Sequence, residues 1–151
     1  MSIPEINSRL RKGVLFHSDK LYNESLNEMN IAIRMIEQLY GRDYVHLTNK
    51  LYDISVLMYQ KDIYSLAALF IMRAINLCKK YINDDILIIQ LYEHYANICT
   101  DGNDLYGGYF LYNELLTFSE LKGYTHNLIK YRENIHIIYM IINQLNEPFS
   151  F

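Results

Sequence analysis

Residues 44–81 read YVHLTNKLYDISVLMYQKDIYSLAALFIMRAINLCKKY. Leu47, Leu51, Ile54, Leu57 and Met58 recur at steps of three and four, which is one face of a helix over about 44–60. Leu66, Leu69, Phe70, Ala74, Ile75 and Leu77 do the same and predict a second helix over about 63–81. Only a tight turn fits between them, so the two helices run antiparallel. Asp62 stands just before the second apolar run, where its carboxylate is expected to accept orphan backbone N–H groups.

The same pattern extends in both directions. Ile6, Leu10, Val14 and His17 predict a helix over 5–17, and Leu21, Leu26, Met29, Ile33, Ile36 and Leu39 one over 20–40. Downstream, apolar spacing predicts helices over 84–100, 104–122 and 126–145. Asp19, Asp104 and Asn83-Asp84-Asp85 are expected to cap helices, as is Thr125 for the last one. Gly41 and Gly123 are placed to end helices two and six. The two prolines, Pro4 and Pro148, lie near the ends, so nothing interrupts 143 residues of helical pattern. An all-α fold follows, and an all-β one is excluded for want of turn residues.

Composition narrows function further. At 51% hydrophobic and 21% charged, the 151-residue chain buries a real core. A net charge of −3 and a pI near 5.9 disfavour bulk binding to nucleic acid. The polar start lacks a secretory h-region. The apolar runs Ile86–Ile89 and Ile137–Ile142 are far shorter than the roughly 20 residues of a membrane span. A cytoplasmic protein is therefore expected, with no membrane or nucleic-acid partner. Cys78 and Cys99 have neither zinc nor redox spacing and read as buried thiols. No two of His17, His46, His94, His126 and His136 are three or four apart, so no helical metal clamp forms. Asp84-Asp85 reads as a helix start rather than an acid–base pair, and Gly107-Gly108 lacks the spacing and lysine of a phosphate loop. No order of side chains suggests nucleophilic catalysis. The expectation is a non-enzyme with no cofactor and no metal.

Self-comparison shows a repeat. Tyr22, Tyr64 and Tyr106 are 42 residues apart, as are Leu21, Ile63 and Leu105, and Ala32, Ala74 and Leu116. A two-helix period of this length marks an α-solenoid. In the middle unit Leu51, Ile54, Ser55 and Met58 occupy the first helix, and Tyr64, Ala67, Ile71 and Ala74 the second. In the first unit the corresponding residues are Gly13 and Phe16, then Tyr22, Ser25, Met29 and Ala32. This resembles the tetratricopeptide (TPR) family, whose first helix carries a bulky residue, Leu-Gly and Tyr, and whose second carries Ala-x3-Phe and Ala. The period, with Gly41-x-Asp43 between units, looks most like the longer repeats of kinesin light chains. The chain departs from the pattern in having no Trp, no repeat-ending Pro, and Lys12 in place of Leu. The third unit has Tyr109 and Asn113 at the small and aromatic positions, and Gly107-Gly108 is the expected place for a slip to a period of 41.

The resemblance implies a right-handed α-solenoid of about three TPR-like helix pairs, 5–40, 44–81 and 84–122, with 126–145 as a capping helix, all one domain over 1–151. It implies that Tyr22, Tyr64 and Tyr106 pack between paired helices. It places Leu10, Arg11 and Val14 of helix one on a concave groove, with Asn49, Tyr52, Asp53, Val56 and Tyr59 of helix three and Leu91, His94, Tyr95 and Ile98 of helix five. His17 and His136 join His94 at groove positions. Such a surface is aromatic and apolar with few cations, unlike a clamp for a terminal carboxylate. It suits a peptide with apolar anchors. The implied function is a non-catalytic scaffold or adaptor that binds a protein segment. The alternatives are an immunity protein or secretion chaperone that neutralises one toxin or effector, and a peptide-sensing regulatory domain. Helix seven carries a stripe through Leu128, Ile135, Ile138, Ile142 and Leu145 that can pack on helix six. Ile137, Met140 and Ile141 then form a second apolar patch, expected to meet a second copy or a partner.

Overall fold

The first turn of the chain shows why it starts helical. Ser2 Oγ accepts the Glu5 N–H at 3.3 Å, and Pro4 sits where its missing N–H costs nothing. The computed structural model describes residues 2–146, which form α1 (Ile3–Ser18), α2 (Tyr22–Tyr40), α3 (Tyr44–Gln60), α4 (Tyr64–Leu77), α5 (Asp85–Asp101), α6 (Leu105–Lys122) and α7 (Leu128–Asn146). No strand occurs among the described residues. The chain divides into two compact units, one ending at Asn83 and one beginning at Asp84. In the first, α1 packs on α2 and α3 on α4, with α2 also touching α3 and α4. In the second, α6 packs on both α5 and α7.

The turns inside the three pairs are one device used three times. Lys20, Asp62 and Asn103 adopt left-handed φ values of 62°, 59° and 64°. The next residue then donates back to the preceding helix: Leu21 N–H to Phe16 O at 2.8 Å, Ile63 N–H to Met58 O at 3.0 Å, and Asp104 N–H to Cys99 O at 2.7 Å. This is the Schellman closure, which satisfies end carbonyls usually with glycine at the left-handed residue. It also corrects three expected caps. Asp19 and Asp62 lie too early in their turns, so Leu21 and Ile63 hold the capping positions with no side-chain bond. Asp62 instead accepts the Tyr64 phenol at 3.0 Å. Thr125 falls outside the first turn of α7, which begins at Leu128. Asp104 does cap, accepting Gly107 N–H at 3.0 Å, and Asp84 accepts those of Ile86 and Leu87 at 3.0 and 3.2 Å.

Small residues mark where paired helices approach. Ser25 on α2 donates its hydroxyl to Gly13 O on α1 at 2.7 Å. Ser55 on α3 donates to Ala67 O on α4 at 2.6 Å. The two bonds join the same repeat positions with the serine exchanged between helices. Both span 12 residues and they stand 42 residues apart in sequence. The corresponding buried small residues of the third pair are Ala96 and Gly108, which stand only 41 residues beyond Ser55 and Ala67.

The period therefore does slip to 41, but not at Gly107-Gly108. The caps Asp43 of α3 and Asp84 of α5 are already 41 apart. The missing residue lies in the turn after α4. There Cys78–Ile82 wind as a π-helical turn closed by Asn83 N–H to Cys78 O at 2.9 Å. Asn83, at φ 56°, takes the place of Gly41 at φ 58°, and nothing corresponds to Arg42. One expectation falls with this register. Leu105, not Tyr106, is the counterpart of Tyr64, and Tyr106 is 65% exposed rather than packed between helices. Tyr22 is also exposed, with its ring edge-on to His17 at 5.1 Å.

The cores follow the apolar stripes. In the first unit Met29, Ala32, Leu51, Ala67, Phe70, Ile71 and Ala74 have no exposed surface. Burial of Ala67 and Ala74 matches the sequence reading. In the second, Ala96, Cys99, Leu111, Tyr112, Leu115, Tyr131 and Ile138 form one cluster.

Candidate partner-binding surface

In the first unit the core uses one side of α3, through Leu47, Leu51, Ile54, Ser55 and Met58. The adjoining side presents Tyr52, Val56 and Tyr59 half-buried, and Asn49 and Asp53 exposed. Tyr59 is braced edge-on by Tyr64 at 5.9 Å. On α1, Leu10 and Val14 are half-buried and Arg11 is exposed, while Ile6 and Gly13 are buried. His17 ends that line, with Nε2 3.4 Å from Ser65 Oγ. All eight residues expected on this part of the groove thus keep some surface.

The second unit places its four expected residues differently. Leu91 and Ile98 are buried at 0% and 2% exposure, and His94 at 8%. Tyr95 is half-buried against the cluster of Ala96, Cys99 and Tyr112. None of the four presents an open face. The one-residue slip explains this: Tyr95 is the counterpart of the core residue Ile54, not of Asp53. The positions equivalent to Asn49, Tyr52 and Val56 are Gln90, Glu93 and Asn97, all at least partly exposed. Sequence reasoning missed them, and the signal that would have found them is the 41-residue spacing of Asp43 and Asp84.

Burial sets the chemistry of this unit. Desolvation lowers the His94 pKa below its ordinary 6.5, which keeps the ring neutral. Cys99 is pushed up to about 12, first by burial and then by Asp104, so it is no nucleophile. Burial also raises Tyr95, Tyr112 and Tyr131. The Tyr112 phenol donates to Asn97 Oδ1 at 3.0 Å, and the Tyr131 phenol donates to Glu93 Oε1. Glu93 Oε1 also accepts from Asn127 Nδ2 at 3.0 Å. Tyr131, absent from the expected stripe, is the buried anchor of α7.

Along α7, Ile138 is buried and Leu128, Ile135 and Ile142 are half-buried, as that stripe requires. Leu145 departs from it at 72% exposure. Ile137, Met140 and Ile141 are 54%, 47% and 38% exposed, so α7 is not apolar all round because it is core. Among the described residues no group of three or more His, Cys, Asp or Glu side chains could hold a metal ion. No helix among them is long and apolar enough to cross a membrane.

No protein-family model matches this sequence, and no curated protein matches it. A solved structure does: the N-terminal domain of stress-induced protein-1 (STI-1) from C. elegans is similar over 87% of this chain and 94% of that one, with a TM-score of 0.53 and 13% identity. At that identity the likeness shows fold alone. Joined to the repeated turns and small-residue crossings, it makes the chain an all-α, TPR-like repeat fold of the solenoid class.

Proposed function

We propose that the chain is a non-catalytic protein-interaction module that holds a peptide or protein segment against the first-helix surface of the unit ending at Asn83. The observation that carries this reading is that Leu10 and Val14 on α1 and Tyr52, Val56 and Tyr59 on α3, all apolar or aromatic, are half-buried. Other residues fill the contacts between paired helices: Gly13, Ser25, Met29 and Ala32 in α1–α2, and Leu51, Ser55, Ala67 and Ala74 in α3–α4. Half-buried aromatics on rigid helices lose little entropy on binding, which suits them as anchors. The 42-residue first repeat step supports a likeness to the longer repeats of kinesin light chains. Two free, buried cysteines go with a reducing, cytoplasmic setting. The exposed patch on α7 supports self-association through that helix.

Panning a displayed peptide library tests the main reading. Wild type is expected to select sequences with apolar anchors. Tyr52→Ala and Val56→Asp should lose those peptides while keeping helicity and melting temperature. Failure to select any peptide, or equal binding by both variants, would sink it.

A further inference from the structure

In the second unit a cleft of about 320 Å³ opens between the first half of α5, the end of α6 and the start of α7. Its lining includes Ile86, Ile89, Tyr124 and the exposed His126, with Glu93, Asn127 and the buried Tyr131. Glu93 is half-buried, and one of its oxygens, Oε1, is fixed by Asn127 and by the Tyr131 phenol. Both donors are neutral. The phenol keeps its proton at ordinary pH, because burial first and Glu93 second raise its pKa. The carboxylate is therefore oriented but its charge is not balanced. Among the described residues of this unit, Lys122 pairs with Asp85 at 3.7 Å and Arg132 with Glu120 at 2.8 Å. Among the described residues no cation pairs with Glu93. A half-buried carboxylate held by neutral donors beside apolar side chains is a suitable arrangement around a cation.

We propose that this cleft receives a lysine or arginine side chain from a bound protein segment, with its charged head on Glu93 Oε2. The alkyl stem lies along Ile86 and Ile89, as such stems lie on apolar surface while their heads seek charge. The Tyr124 ring adds a π-face to the same cation. The exposed Gln90 at the rim offers an amide donor and acceptor to the peptide backbone beside that side chain. The proposal rests on the reading that the chain binds protein. It differs in naming a cationic anchor where the α1–α3 surface names apolar ones.

The test is an amide-resolved NMR titration of the full chain with N-acetyl-lysine methylamide, and with N-acetyl-norleucine methylamide as the uncharged control. The lysine probe is expected to shift the amides of residues 86–93 and 124–131 saturably, at least tenfold more tightly than the control. Glu93→Gln keeps the size and the accepted hydrogen bonds but removes the charge, and should weaken the lysine probe about tenfold. Ile86→Lys leaves Glu93 intact and tethers a competing cation at a position 64% exposed, so it should also weaken the probe if Glu93→Gln proves unstable. Equal shifts from the two probes, or undiminished lysine binding by either folded variant, would overturn the cation cleft. So would putrescine binding more than tenfold tighter than the lysine probe, which would assign the cleft to a free diamine. None of these outcomes depends on library panning, so the cleft and the peptide-binding reading fail separately.

Discussion

Thr48 places an unpaired hydroxyl in the core. Its side chain is fully buried on α3 and its Oγ1 has no hydrogen-bond partner. A buried unsatisfied hydroxyl costs on the order of 1 kcal/mol or more. Thr48→Val keeps the shape and removes the unpaired oxygen, so a rise in melting temperature is expected, and a fall would show that the hydroxyl has a partner in solution. His94 gives a residue-level pH dependence. Its folded pKa lies below its ordinary 6.5, so its contribution to stability is whole above that value and is lost as pH falls through the folded pKa. Denaturant unfolding between about pH 7 and pH 4.5 should show stability falling on the acid side. In His94→Gln that slope should be shallower, and an unchanged slope would assign acid sensitivity elsewhere.

Elements meet where side chains are smallest, and the two crossing glycines differ in what they face. A Cβ on Gly108 would lie 2.6 Å from Thr100 Cγ2 and 3.5 Å from Ile138 Cδ1. Thr100 is β-branched and its hydroxyl donates to Ala96 O at 3.0 Å, so it has little freedom to move. A Cβ on Gly13 would lie 2.4 Å from the terminal methyl of Met29 and 3.0 and 3.1 Å from its Sδ and Cγ, an unbranched but fully buried side chain that must repack. Gly108→Ala is thus expected to cost about 1–3 kcal/mol. Gly13→Ala should cost less, because unbranched Met29 yields more readily than Thr100; the gain in helix propensity of about 1 kcal/mol is common to both positions. Thermal denaturation of the two variants decides the order, and the reverse order would contradict this packing. Ala74→Leu is the matching test in the α3–α4 pair. Ala74 has no exposed surface, so overpacking should again cost about 1–3 kcal/mol.

For the whole molecule the open question is the outer side of α7. Ile137, Met140 and Ile141 are exposed at helical spacing on a chain whose net charge is only −3. That charge gives little repulsion against association, and a C2 contact needs only one such self-complementary patch. Light scattering should find a dimer that Ile137→Glu or Ile141→Glu converts to a folded monomer. A wild type that stays monomeric at high concentration would remove self-association and leave the patch to another partner.

The sequence alone determined the helices and their pairing. Steps of three and four in apolar residues, with no interior proline, admit one regular structure, and short turns bring neighbours together antiparallel. Small residues at 13, 25, 55 and 67 were legible for the same reason, because only small side chains allow backbones that close. The register of the third pair was decided only in three dimensions. A helix face turns by about 100° per residue, so one residue lost after α4 carries Tyr95 toward the core and Glu93 toward the surface. Tyrosines 42 residues apart misled in that stretch, since Tyr106 repeats the letter without the environment. The Glu93 cleft was also beyond the sequence. It joins residues from α5 and α7 through a hydrogen bond spanning 38 residues, and no local pattern records which side chains a fold will leave charged and half-covered.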